Sequence, residues 1–386
     1  MDIQRFRHFC AQHFHLEERA QRLAECRSRP KIGIGSIFQA LFYLGVLGLG
    51  SLLGLDQFLR TRGGRKLFKS AKSLVSDSTL SRTLAKMGLA GLHTLLLAVY
   101  AAGRALGVGR CPVGKGRWRI GVIDGSQFGR FMASCFAEIG SVCLMGGLEK
   151  IPKRGKELPA SERLLRKLLA RFGPRWVDLL LLDGLYVAQG FLRVCLEQCH
   201  IDFLIKTQEA GLNIIRDAMG LFRNYRTYAQ DIEYVQGTDA DRMVSYQVYA
   251  LEGFFLEGVE APIKVAWVQE ENLRTGQQTE FWVLTSLEEL TAEEIRELAH
   301  WRWDIENNGF KSLNSLVHTK HLYAHDLHAA ESMTLILFIA GNVLQLFLTQ
   351  IRREDIEALF GKVKATRRFL QQQLRASVET LPLPET

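Results

Sequence analysis

Several things are absent from this chain of 386 residues, and each absence narrows what it does. Its seven cysteines, at 10, 26, 111, 135, 143, 195 and 199, form no Cys-x-x-Cys pair. An odd number in a chain of this size argues against a disulfide framework and for a reducing cytoplasm. No apolar signal core follows the charges of "MDIQRFRHFC", so secretion is not expected. No internal repeat or low-complexity segment stands out. Acidic excess is also missing: 49 Lys and Arg stand against 41 Asp and Glu, with a pI near 9.1. That balance favours a polyanionic partner, nucleic acid first among them.

What is present suits a globular protein. The chain is long enough for two or three domains, and its 47% hydrophobic content supports a sizeable core. One stretch, "IGIGSIFQALFYLGVLGLGSLLGL" at 32–55, is long enough to span a membrane. It also holds Ser36, Gln39, Ser51 and many glycines, so buried helices and no membrane partner are the expectation. A membrane-anchored protein is the competing reading, and it predicts detergent-dependent solubility.

The texture divides the chain into five segments. Residues 1–112 read as an N-terminal helical DNA-binding domain. Within it Ser78 or Asp77 can cap a helix carrying Leu80, Leu84 and Met87, which Gly88 can end. That helix, its glycine turn and the apolar helix after it resemble a helix-turn-helix. Upstream lies the basic run "RTRGGRKLFKSAK" at 60–72, with Arg62, Arg65 and Lys66 around Gly63, and Arg82 follows it. These basic residues are candidate DNA contacts; a helical bundle with a solvated basic face is the alternative. Residues 113–206 read as β-β-β-α-β-α-β, the helix at "SERLLRKLLARFG" starting at a Ser161 cap and stopping at Gly173. Residues 207–285 are a β-rich insertion with at least one long hairpin. Helix returns over 286–350, where Thr291 and Glu294 match a capping box. Residues 351–386 are a basic helical tail that pairs with a second subunit, lies along DNA or presents a solvated face. The fold class is therefore α/β: a mixed sheet with helices, interrupted by strands, behind an all-helical N-terminal domain.

The chemistry collects on carboxylates. Asp124 closes an apolar strand in "GVIDGS", and Asp183 closes another in "LLLLDGLY". A charged residue ending an apolar strand must be exposed or coordinated, and the carboxyl ends of strands are where open α/β sheets build sites. For either aspartate alone a strand-end turn is the competing reading, since Asp-Gly is a common turn dipeptide. Two on neighbouring strands weaken it. Glu306 follows in "AHWRWDIENNGFK" at 299–311, one turn after Arg302, so a helical salt bridge competes there. Three converging carboxylates suit a pair of Mg²⁺ ions, with Mn²⁺ as a substitute. Two such ions roughly 4 Å apart activate an attacking oxygen and stabilise a leaving one in phosphoryl transfer.

These motifs resemble the DDE transposases of bacterial insertion sequences, enzymes with an RNase H-like catalytic domain and a β-rich insertion between the second aspartate and the glutamate. "VIDGS", "LLDGLY" and "RWDIENNGFK" carry the resemblance, which covers roughly residues 75–345. It implies that Asp124, Asp183 and Glu306 bind the metals and catalyse cleavage and strand transfer in cut-and-paste transposition. It implies a bacterial cytoplasm at the nucleoid, double-stranded transposon ends and target DNA as partners, and a homodimer assembled on DNA. Arg302 falls to phosphate near the transposon end, with Lys311, Asn307 and an aromatic ring from Trp301 or Trp303 beside it. One subgroup has a Y-x2-R-x3-E-x6-K array, and here Ala299 and Leu313 stand at its tyrosine and lysine positions. That departure counts against its hairpin mechanism. A transposase-derived DNA-binding protein that no longer cuts is the alternative.

Two further clusters compete for attention. His318, His321, His325 and His328 fall at i, i+3, i+7 and i+10, one stripe on an unbroken helix, where zinc is conceivable. Cys195, Cys199 and His200 lie together on an apolar helix, where a cysteine pair is usually core.

Overall fold

The computed structural model describes residues 2–68, 75–114, 116–152, 155–224, 230–304, 311–351 and 366–381, with their side chains except those of residues 303 and 304. Of the positions singled out above, Glu306, Asn307 and the Trp303 side chain lie outside the described residues, as do the end of the basic run and much of the C-terminal tail.

A small hairpin, β1 (Cys111–Val113) with β2 (Gly116–Trp118), precedes the main sheet. The strands β3 (Ile120–Phe128), β4 (Phe131–Ile139) and β5 (Cys143–Ile151) form an antiparallel meander. Its first turn is the two-residue Gly129-Arg130, with Gly129 at φ 55°, the left-handed backbone that tight hairpins require. Helix α8 (Glu157–Phe172) then returns the chain to β6 (Leu179–Asp183), which lies parallel to β3. A second crossover through α9 (Gln189–Arg193) and a π-helical turn leads to β7 (Asp202–Thr207), parallel to β6. The order β5-β4-β3-β6-β7 is the RNase H-like arrangement that the family resemblance implied.

The sheet does not stop at β7. The strands β8 (Glu233–Asp239), β9 (Val244–Phe254), β10 (Ile263–Asn272) and β11 (Gln278–Thr285) continue it, β11 pairing antiparallel with β7 from Trp282↔Thr207 to Thr285↔Leu204. Among the described residues the strand-rich segment thus shares one nine-stranded sheet with the core. An aromatic row, Tyr249, Trp267, Trp282 and Phe222, stacks along it.

Helices cover the sheet. Residues 32–55 form α3 (Ile34–Val46) and α4 (Leu52–Arg60), two largely buried helices parted at Gly48 and Gly50, both with positive φ. Among the described residues, the helix long and apolar enough to cross a membrane is another one, α13 (Leu327–Thr349), and it is buried against α3, α7 (Leu89–Ala105) and β5. Its Asn342 bonds both backbone groups of Met145 on β5, at 2.9 and 2.8 Å, so the polar amide is satisfied inside the core. Earlier helices are α1 (Ile3–Phe14), α2 (Leu16–Gln21), α5 (Arg62–Phe68) and α6 (Asp77–Leu84).

Several local expectations are corrected. Ser76, ahead of both candidates, caps α6 by accepting from Thr79 N. Gly88 opens α7 instead of ending α6, because its backbone pairs with Ala24, whose carbonyl a Cβ would crowd at 3.0 Å. The second helix of the helix-turn-helix pair, α7, packs into the core on α13 and β5. Ser161 is not a cap: α8 starts four residues earlier, and Ser161 is buried inside it, while Gly173 does end it at φ 77°. The histidine stripe is broken, since α12 (Lys311–Val317) stops at His318, itself left-handed at φ 56°. The described part of the tail, α14 (Arg367–Ala376), is docked: Gln371 donates to the carbonyls of Gly45, Val46 and Leu316. Cys195 and Cys199 are core, and all seven cysteines are unpaired.

Candidate active site

The parallel register Ile120↔Leu179, Gly121↔Leu180, Val122↔Leu181, carried two residues further, sets Asp124 level with Asp183. Asp183 ends β6, whereas Asp124, expected to close its strand, is followed by four more residues of β3 paired with β4 as far as Phe128; the two aspartates meet just past the parallel β3–β6 pairing. Asp183 has two employments. Its Oδ1 accepts from Leu185 N at 3.0 Å and caps the 3-10 turn Gly184–Tyr186, which is the turn-forming role foreseen as the alternative. Its Oδ2 faces Arg302, whose Nη2 donates at 3.3 Å and lies 3.4 Å from Asp124 Oδ1.

Arg302 comes from α11 (Ala292–Asp304), entered through the capping box: Glu294 N donates to Thr291 Oγ1 at 3.2 Å, and Thr291 N to Glu294 Oε2 at 2.9 Å. Strands β8, β9 and β10 hold this helix in place. Along one face Glu293 accepts from Tyr246, Arg296 bridges Glu270 (2.7 Å) and Asp239 (3.2 Å), and His300 meets Glu270 at 2.8 Å. The extension of the sheet thereby aims Arg302 at the two aspartates. Trp301 is half-buried against the hydrophobic core, and Ala299 and Leu313 are buried, so neither replaces the missing tyrosine or lysine at the surface.

Burial raises the Asp124 carboxyl to about 6; Arg302 opposes the shift, and the charges of Asp183 and Glu157 add to it. Two carboxylates that already share one guanidinium call for positive charge between them, a donor set of hard oxygens that fits a divalent cation. Among the described residues no three His, Cys, Asp or Glu side chains form a metal cluster by themselves; Glu306, the third acid expected, lies outside them.

Two neighbours carried no signal in the sequence. Lys206 is paired across β6–β7 with Asp183. Its ammonium sits 3.8 Å from the Phe281 ring centroid, and burial pushes it down to about 8. Glu157, on the first turn of α8, accepts from the Tyr186 hydroxyl at 3.0 Å. Linear distance hides both, since only the crossovers bring them to the strand ends. The other predicted contacts lie elsewhere: Lys311 is exposed at the start of α12, and Arg62, Arg65 and Arg82 are exposed on α5 and α6. Lys66 donates to Glu379 O, and Gly63 packs beside the Glu379 carboxylate.

Sheet order and covering helices define an RNase H-like α/β protein. The family model of the transposase DDE domain matches residues 150–343, half of the chain. The chain belongs to that family and is a DDE transposase. No curated protein matches it. The matched range takes in Asp183, the sheet extension and α11 but begins after Asp124, so Asp124 joins the site through its strand register and its contact with Arg302.

Proposed function

We propose that this transposase binds the terminal inverted repeats of a mobile element as a homodimer, cleaves at the element's ends and joins the freed 3′-hydroxyl to target DNA in a cut-and-paste reaction in the bacterial cytoplasm. The observation that carries this reading is the convergence of Asp124 and Asp183 on the single Arg302 guanidinium. Asp124, Asp183 and Glu306 are the carboxylates that would hold two Mg²⁺ ions. When bound, such ions supply an activated oxygen nucleophile and a stabilised leaving oxygen.

The remaining roles follow from side-chain chemistry. Arg302 offers a planar fork of donors, and a phosphate arriving at the aspartates would meet it there. Lys311 at the start of α12 offers a second cationic contact; Asn307, Trp301 and Trp303 are the proposed polar and stacking contacts to the transposon end. Arg62, Arg65, Lys66 and Arg82 are the proposed contacts to the duplex backbone, a sequence-independent contribution that falls as salt rises.

The test is a nicking and strand-transfer assay on DNA carrying the element's ends, in Mg²⁺ and Mn²⁺. Asp124→Ala, Asp183→Ala and Glu306→Ala are each expected to lower the rate by about a thousandfold or more, the equivalent of several kcal/mol of transition-state stabilisation. Retention of cleavage and joining by these variants would sink the assignment.

A further inference from the structure

Beyond the two aspartates, a third carboxylate reaches the same end of the sheet. Glu157 lies against Gly125, the residue after Asp124, so closely that a Cβ there would collide with both of its carboxylate oxygens. Glycine at this position is what lets the acid approach the strand. One oxygen, Oε1, is held by the Tyr186 hydroxyl at 3.0 Å. That hydroxyl in turn meets Ser161 Oγ at 3.0 Å, and Ser161 meets Ser134 Oγ at 2.7 Å. Tyr186 is fully buried and follows Asp183 by one short turn. The clamp on Glu157 is therefore built from the same turn that carries the second aspartate. No Lys, Arg or His side chain pairs with Glu157 among the described residues, although Glu149, Glu162 and Glu197 nearby in the fold each have such a partner. A partly buried acid with no cationic partner among the described residues, a rigid hydroxyl holding one oxygen and a glycine cleared for the other, is a place that positive charge stabilises.

We propose that Glu157 is a further acidic wall of the active site, a positioning residue that raises the affinity of the Asp124–Asp183 pair for a divalent cation. The inference rests on the reading of those aspartates as metal carboxylates. It adds an acid from a helix that contributes none of the residues of the DDE pattern. Affinity for hard cations is tuned by the number of charges around the oxygen ligands, and residues that support ligands from behind change it by about 10- to 100-fold.

The experiment is a Mn²⁺ titration of the full chain without DNA, followed by electron paramagnetic resonance or calorimetry. Glu157→Gln keeps an oxygen for Tyr186 and removes the charge; the expected result is Mn²⁺ binding weakened by about tenfold or more. Glu162→Gln, at a half-buried acid on the same helix already paired with Arg166 at 2.8 Å, is expected to bind as wild type does. Wild-type affinity in Glu157→Gln alongside lost affinity in Asp124→Asn overturns the role of Glu157 and leaves the aspartates' assignment standing. Wild-type affinity in Asp124→Asn as well overturns the broader reading. Should Glu157→Gln fail to fold, Gly125→Ala takes its place: it displaces the carboxylate without altering its charge, and the same weakening is expected, with wild-type affinity overturning the proposal.

Discussion

Asp183 separates structure from chemistry within one side chain. Its Oδ1 caps a turn while Oδ2 faces Arg302, so two substitutions divide the roles. Asn retains an oxygen that caps as well as Asp does but carries no charge. Asp183→Asn is expected to unfold within about 1 kcal/mol of wild type and yet to lose strand transfer. Asp183→Ala loses the cap too, at a further cost of about 1 kcal/mol. Urea melts paired with a joining assay check this; equal activity in Asp183→Asn and wild type would show that only the cap matters. The turn-forming reading of Asp-Gly was thus correct and incomplete, because a dipeptide carries no information about what faces its second oxygen.

At the scale of elements, α11 depends on the strands beside it. Arg296 is buried between Glu270 and Asp239, and removing one member of a buried charge group leaves the others uncompensated, which costs about 3–5 kcal/mol. Arg296→Ala is expected to destabilise by that order and to lower activity through Arg302, although it touches no DNA in the proposed scheme. Acid gives an independent check. Burial works against the charge on Asp239, yet hydrogen bonds from Arg242 and Arg296 hold its carboxyl down to about 2. A depressed folded value stabilises the protein fully above the ordinary aspartate range near 4, and that contribution is lost as pH falls towards 2. Denaturant melts from pH 7 to pH 3 are expected to show a shallower acid loss in Arg296→Ala than in wild type; identical slopes would contradict the clamp.

Across the whole molecule, the helical layer and the sheet share one core. Glu138 on β4 is fully buried between Arg119 (2.6 Å) and Arg104 of α7 (3.3 Å), with the Tyr100 hydroxyl donating to it. Helix α13 is buried between α7, α3 and β5. A fragment of residues 1–112 would expose the apolar face of α7 and leave Arg104 without its acid. Expressed alone, it is expected to show broad amide resonances and no cooperative thermal transition. A sharp two-state melt of that fragment would show that the helices form an independent unit.

The sequence by itself determined the order of elements, the two aspartates that end apolar runs, of which only Asp183 ends its strand, the capped helix carrying Arg302 and the family resemblance. Each of these is written in local periodicity, in a polar residue ending an apolar run, or in a short motif. Only the tertiary structure decided that the strand-rich segment extends the core sheet, since pairing between β11 and β7 is a long-range choice that alternation does not encode. It also decided that one guanidinium serves both aspartates, that α7 is a core helix, and that Glu157 comes to stand against Gly125. Those facts depend on crossovers and on the register of parallel strands, where residues remote in the chain meet because burying apolar faces leaves them no other place.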